Sequence, residues 1–327
     1  MDTTTWSPQK ILVGIDFSPQ SAAALAQALW LAERTGAAIA VAHVLSDVRK
    51  AMLDMPTDAR WQLVAGDVDA FERSLRSKSD AKLDALIAPH VARGVNIRRM
   101  TLLGVPSVEL IHAVLKEKHD LVVTGTKGQG AIKRVFVGST AENLVRKCPA
   151  PVWIVKAAAS LNTILAPVDF SPVSEKSLRL AGALALKASA KLVVLHAISN
   201  PLAEELASLD IDSDEGQQLE ASQSAGQSRL RELVAQHVDA SIATELHVVN
   251  ENAATAIADA AEKFAADLVV MGSVSRSGLP GYLLGNTAEK VLRTTDCALL
   301  TVKPDGFISP IDPPFWKLHP DDTSTAQ

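Results

Sequence analysis

Short apolar runs alternate along this chain with longer stretches in which apolar residues recur every three or four positions. The first run, Ile11–Ile15, is ended by Asp16-Phe-Ser-Pro19. Ser18 is a natural N-cap and Pro19 a natural first helical residue. The helix they announce carries Leu25, Ala28, Leu29 and Ala32 on one face, and Gly36 suits its stop. Ala37–Leu45 reads as a buried strand. Asp47–Val68 begins irregularly, and a long helix follows over about Asp69–Arg93. Asn96–Leu103 is a strand whose mixed patterning suits a sheet edge. Ser107–Glu117 reads as helix, Leu121–Thr124 as strand, Ser139–Lys147 as helix and Val152–Val155 as strand.

The same order then repeats. Strands are predicted at Ile164–Val168, Lys191–Ala197, Ile242–Val249, Leu268–Met271 and Ala298–Val302. Helices are predicted at Val173–Ala188, Gln218–His237, Ala253–Phe264 and Thr287–Arg293. The residues repeat as well as the pattern. Ile11-Leu-Val-Gly-Ile-Asp16-Phe-Ser-Pro returns as Ile164-Leu-Ala-Pro-Val-Asp169-Phe-Ser-Pro, and the offset between Asp16 and Asp169 also separates His43 from His196. Asp120-Leu-Val-Val-Thr-Gly125 returns as Asp267-Leu-Val-Val-Met-Gly272, and Gly138-Ser-Thr-Ala-Glu as Gly285-Asn-Thr-Ala-Glu. A repeat this long is a duplicated domain rather than a solenoid unit.

Strands alternating with helices predict an α/β fold of right-handed parallel βαβ units, here two tandem doubly wound domains with helices on both sheet faces. The expected boundaries are 1–157 and 161–305, with a short linker near Ala157–Leu161 and a Pro- and Asp-rich tail over 306–327 that Phe315-Trp316 could pin. The 327 residues suit two domains of ordinary size.

Composition narrows the function classes. The formal charge is −5, which gives no bulk attraction to nucleic acid or anionic membrane. Aromatic residues make up 4% of the chain, too few for a base-stacking platform. Met1–Ser7 has neither a basic region nor an apolar run, and no long stretch is free of polar interruption, so a cytoplasmic protein is expected. Cys148 and Cys297 have no disulfide framework or metal spacing and do not align between the repeats. His43 and His196 each end a strand alone, without a second ligand at useful spacing. No metal site and no nucleophile–base set is expected.

The sharpest chemical signal is Gly125-Thr-Lys-Gly128, followed after nine residues by Gly138-Ser139. Glycines let a backbone approach a ligand closely, and a helix N-terminus offers N–H donors to phosphate. The hydroxyls of Ser139 and Thr140 add donors. The same spacing also describes a tight turn followed by a capped helix. A Walker A loop would need Gly-Lys-Ser/Thr, and Gly130 is followed by Ala131. A dinucleotide fingerprint would follow the first strand, and these glycines follow the fourth.

Taken together, the glycine pattern, Asp-Leu-Val-Val before it, Thr-Ala-Glu after it, and the closing Pro151-Val-Trp-Ile-Val-Lys resemble the universal stress protein family. The resemblance covers almost all of residues 10–303, as a tandem-domain member similar to the family's E type. It implies a five-stranded parallel sheet per domain, in the order 3-2-1-4-5, and ATP, with Mg²⁺, as the ligand of domains with the full glycine motif. It also implies a role in stress response, and pairing of the two domains as an internal pseudo-dimer, with a homodimer a further option.

Carried over residue by residue, the resemblance assigns Gly14, Asp16 and Val44 to the base, Thr124 and Gly125 to the ribose–phosphate side, and Gly128, Gly138, Ser139, Thr140 and Ala141 to the phosphates. Asp16 can equally cap the turn after its strand. Lys127, Lys133 and Arg134 lie in or near the loop and could reach phosphate. The second half keeps Pro167, Asp169, Ala197, Met271, Gly272, Gly285 and Thr287 at matching positions, but Ser275 replaces the second glycine and Asn286 the serine. Asn286 can still cap its helix. A β-carbon at Ser275 would crowd phosphates, so the second site is expected to be the weaker, or to serve another small molecule.

Overall fold

The computed structural model describes residues 6–47, 68–126, 137–156, 160–198, 215–273 and 285–311. The chain divides into two compact units, the first built on residues from Pro8 to Val152 and the second on residues from Trp153 to Phe307. Lys127, Gly128, Lys133, Arg134, Ser275 and the Phe315-Trp316 pair lie outside the described residues.

In the first half the elements run β1 (Lys10–Gly14), α1 (Pro19–Thr35), β2 (Ala38–Leu45), α2 (Val68–Val91), β3 (Ile97–Leu103), α3 (Pro106–Glu117), β4 (Leu121–Gly125), α4 (Ser139–Lys147) and β5 (Val152–Val155). The second half gives β6 (Thr163–Pro167), α5 (Pro172–Ala188), β7 (Lys191–Ala197), α6 (Glu215–His237), β8 (Thr244–Val249), α7 (Ala253–Lys263), β9 (Leu268–Gly272), α8 (Asn286–Thr294) and β10 (Ala298–Val302). The strand order is β3-β2-β1-β4-β5 in the first half and β8-β7-β6-β9-β10 in the second. The pairs β1–β2, β1–β4 and β2–β3 are parallel, as are β6–β7, β6–β9, β7–β8 and β9–β10. The fold is therefore the α/β arrangement that the alternating pattern predicts.

The central strands are apolar throughout because both their faces are covered. Ile11, Leu12, Val13, Leu121, Val122 and Val123 are fully buried, as are Ile164, Leu165 and Leu268–Val270 in the second half. Such two-sided burial reads as a continuous apolar run rather than as alternation. Among the described residues β3 pairs only with β2, and its polar side chains fit that edge position. Arg99 bridges Asp80 at 2.8 Å and Asp84 at 2.7 Å, fastening the edge strand to α2.

The helix starts repeat closely. Ser18 Oγ accepts from Ser21 N at 3.2 Å, and Ser171 Oγ accepts from Ser174 N at 3.3 Å, with proline as the next residue in both. The ends differ. α1 stops at Gly36 with φ of 74°, whereas α5 stops at Ser189, a non-glycine residue at φ of 53°. β8 begins two residues later than its apolar pattern suggests. Asp239 accepts from Ser241 N and the Ile242 N–H reaches the Asp239 carbonyl, so Ser241 and Ile242 belong to a turn.

Candidate functional site

In each half the carboxyl ends of the first, second and fourth strands face the start of the last helix across a cavity. Open α/β sheets bind ligands at this point, where the strand order reverses. The first cavity, of about 260 Å³, is lined by Gly14, Ile15, Asp16, Ala42, His43 and Val44 from β1, β2 and the turn after β1. Ser21 of α1, Pro106 and Leu110 of α3, Thr124–Thr126 at the end of β4 and just beyond it, and Gly138–Ala141 at the start of α4 complete it. Of the first-half residues singled out by sequence, Gly14, Asp16, Val44, Thr124, Gly125, Gly138, Ser139, Thr140 and Ala141 all meet at this one cavity.

The second cavity also measures about 260 Å³. Pro167, Asp169, Ala197, Met271, Gly272, Gly285 and Thr287 line it. Asn286 does not: it is exposed, and it is the first helical residue of α8 rather than its cap. The cap is Gly285, held in extended geometry by its N–H bond to the Ser273 carbonyl at 2.9 Å. The expectation that Asn286 caps the helix fails because that bond already fixes the residue before it.

The α4 N-terminus is set in the same way. Gly138 N–H donates to the Thr126 carbonyl at 2.6 Å, which pins the helix start to the end of β4. Gly138 offers no side-chain cap. Among the described residues no side chain caps the first turn, and its N–H groups suit an anion.

Asp16 is held by the turn it begins. Its Oδ1 accepts from Ser18 N at 3.0 Å and from the Ser18 hydroxyl, while Asp16 N–H donates to Ser21 Oγ. Burial pulls the Asp16 carboxyl upward. The bonds from the Ser18 hydroxyl and N–H and from Ser21 outweigh it, and the group sits below its ordinary value. Asp16 is thus an ionised acceptor at the cavity wall and also the turn cap that the sequence allows. Asp169 repeats the arrangement with Ser171 and Ser174.

The two histidines also have structural partners. His43 Nδ1 lies 2.7 Å from the Ile15 carbonyl and His196 Nδ1 lies 2.9 Å from that of Val168, so each donates to the turn beside its cavity. Phe17 stacks on His43 at 4.7 Å between ring centroids, and Phe170 on His196 at 4.5 Å. A cation covers each phenylalanine: Lys82 Nζ over Phe17 and Arg229 Cζ over Phe170. Sequence reading assigned these phenylalanines no role. Their signal was present in Asp-Phe-Ser-Pro, identical in both halves. Pro106 and Leu110 gave no comparable signal, because a wall residue on a helix repeats like any core residue.

Gly125 acquires a reason other than ligand approach. A Cβ there would stand 2.8 Å from the Gln20 main-chain carbon, so glycine lets α1 pack on β4. Gly272 meets the Val173 side chain at 3.0 Å instead.

A family model described as the universal stress protein family matches residues 8–156 and 161–303. The chain belongs to this family. It is of the tandem type, since the model matches twice. Universal stress protein E of Salmonella typhi is 28% identical over 325 residues, covering 93% of this chain and 97% of that relative. Among solved structures, a protein of unknown function from Pseudomonas aeruginosa PAO1 superposes with a TM-score of 0.65 at 22% identity, covering 91% of this chain and 93% of the other. A universal stress protein from Archaeoglobus fulgidus gives 0.62 at 20% identity, covering 90% and 98%. At these identities the superpositions establish the fold. Among the described residues, no helix is long and apolar enough to cross a membrane, and no cluster of His, Cys, Asp or Glu could hold a metal ion.

Proposed function

We propose that the first-half cavity binds ATP and that occupancy biases the protein's conformation or its choice of protein partner during stress, in the cytoplasm and without fast turnover. The observation that carries this reading is the convergence of Asp16, Val44, Thr124 and Gly138–Ala141 on one cavity that opens at an uncapped helix N-terminus. The apolar wall of Ala42, Val44, Pro106 and Leu110 suits a planar base, and Asp16 suits an amino or hydroxyl donor. Phosphates would sit at Gly138, Ser139 and Thr140. No acidic cage faces them among the described residues, so Mg²⁺ would be carried mainly on phosphate oxygens and water.

The chain's own residues supply binding rather than chemistry. His43 and His196 each donate from Nδ1 to a backbone carbonyl, which fixes the ring as part of the turn beside its cavity. Any hydrolysis or autophosphorylation would be slow.

Extraction of ligand from natively purified protein, followed by calorimetry with MgATP, tests the reading. Adenine nucleotide in the extract and one strong site per chain are expected. Neither being found would sink it.

The second cavity favours a separate reading. Its volume equals that of the first, yet Pro167 and Met271 replace Gly14 and Thr124 on its floor. It would bind ATP more weakly, or take another small molecule.

A further inference from the structure

The two cavities are equal in volume, at about 260 Å³ each, but their space lies in different places. On the floor of the second, Pro167 and Met271 fill what Gly14 and Thr124 leave open in the first. Its wall changes the other way. Ala197 at the end of β7 and Ala253 at the start of α7 stand where the first cavity has Val44 and Pro106, so the wall is cut back. Hydroxyl groups are lost as well. The Thr124 hydroxyl gives way to a thioether. Thr126 lines the first cavity, whereas its counterpart Ser273 is fully buried and spends its hydroxyl on the Val302 carbonyl at 3.3 Å. Ser139 lines the first cavity, whereas its counterpart Asn286 is exposed and outside the second. Asp169 keeps its place on the cavity wall, where its carboxylate accepts from Ser171 N at 3.0 Å.

We infer that the second cavity binds a flat aromatic ring system wider than a purine, one that carries N–H donors and no sugar. The inference rests on the reading of this cavity as a site for another small molecule, and it does not depend on ATP at the first. A polyhydroxylated chain laid over the floor would bury its hydroxyls against Pro167 and Met271, neither of which offers a side-chain partner. A ring gains where the chain loses. The Met271 sulfur makes favourable contact with an aromatic ring. The wall cut back to Ala197 and Ala253 admits a broader ring than Val44 and Pro106 would. A ring N–H can donate to Asp169, since a carboxylate has acceptor capacity beyond the bonds from Ser171. An aliphatic body would fill the same apolar space but would cover the carboxylate without giving it a donor.

The test is fluorescence titration of the full chain with three probes that share one tricyclic N–H ring: lumichrome, which is the ring alone, riboflavin, which adds a polyhydroxy chain, and FMN, which adds a phosphate to that chain. Lumichrome should bind about tenfold more tightly than riboflavin or FMN. Ala253→Phe places a ring in the widened wall and should weaken lumichrome at least tenfold, while a thermal melt shows the protein folded. Ala197→Val restores the side chain of the first cavity and should weaken lumichrome severalfold, which keeps the test decisive if Ala253→Phe does not fold. No binding of lumichrome would overturn the inference. So would riboflavin or FMN binding as tightly as the bare ring, and so would lumichrome binding that a folded variant leaves unchanged, since the ring would then lie elsewhere. Each of these results leaves the ATP reading of the first cavity standing, and failure of the chain to bind ATP leaves this inference standing.

Discussion

Phe17 rests against His43 with ring centroids 4.7 Å apart, while its own backbone is held at φ of 62°. That conformation suits glycine, and for a bulky residue it is strained. The contacts explain why it persists. The ring contacts both the imidazole of His43 and the ammonium of Lys82, and the imidazole is anchored to the Ile15 carbonyl. Phe170 repeats each feature at φ of 60°, with His196 and Arg229. The strain sits one residue beyond Asp16 and turns the chain from β1 toward the Ser18 cap.

This balance predicts an inverted ranking of two truncations. Phe17→Ala loses the ring contacts and keeps the unfavourable φ. Phe17→Gly loses the same contacts and relieves it. Glycine should therefore be the more stable variant by about 1 kcal/mol, against the usual order in which alanine wins. Urea midpoints of the two proteins decide it. A more stable alanine variant would show that the backbone here is not strained.

The glycines that end β4 and β9 should differ in tolerance. A Cβ at Gly125 meets the main chain of Gln20, in the first turn of α1, which cannot move without disturbing the Ser18 cap. A Cβ at Gly272 meets the two methyls of the Val173 side chain, at 3.0 and 3.2 Å, and no main-chain atom as close. Gly125→Ala should destabilise by about 1–3 kcal/mol, and Gly272→Ala by less. Melting temperatures of the two variants provide the comparison, and equal losses would contradict the packing argument.

Asp16 gives a pH dependence of known sign. Its folded carboxyl lies below the ordinary value of 3.8, so folding favours the ionised form. The stabilisation is present above about pH 4 and is lost as pH falls through the folded value, because the unfolded chain takes up the proton first. Asp16→Asn keeps an acceptor for Ser18 N–H and removes the titration. The unaltered chain should be the more stable near neutrality, and its advantage should shrink as pH drops below 3.8. Denaturant midpoints stepped from pH 7 toward pH 3 test this. An advantage that stays constant or grows in acid contradicts it.

Much of the architecture could be read from the chain because each half reports on the other. The runs at Ile11 and Ile164, the Ser-Pro helix starts and the paired glycines fall at matching places in both sheets. What escaped sequence reading is contact across elements. Nothing in the pattern says that Phe17 faces His43, that Lys82 covers it from α2, or that Gly125 makes room for Gln20. Such meetings depend on how helices lie on a sheet, and residue spacing along one element does not encode that. Asn286 shows the opposite error. Its side chain suits a cap, but a backbone bond from Gly285 to Ser273 sets the helix start one residue earlier.

The α4 N-terminus allows stability and binding to be separated by a single substitution. Gly138 has φ of −66° and ψ of 148°, ordinary N-cap geometry that any residue adopts. Aspartate is a better N-cap than glycine by a few tenths of a kcal/mol, and its charge suits the helix dipole. Gly138→Asp should therefore fold as well as the unaltered chain or slightly better. Its carboxylate would stand where the proposed phosphates bind, capping the same N–H groups and repelling the same charge. ATP affinity should fall by at least tenfold, equivalent to about 1.4 kcal/mol. Gly285→Asp makes the same change at α8, beside the second cavity, and should leave the strong site intact. Calorimetry and thermal melts on both variants read the two effects independently. If Gly138→Asp binds ATP normally while melting normally, the helix N-terminus is not where the phosphates lie.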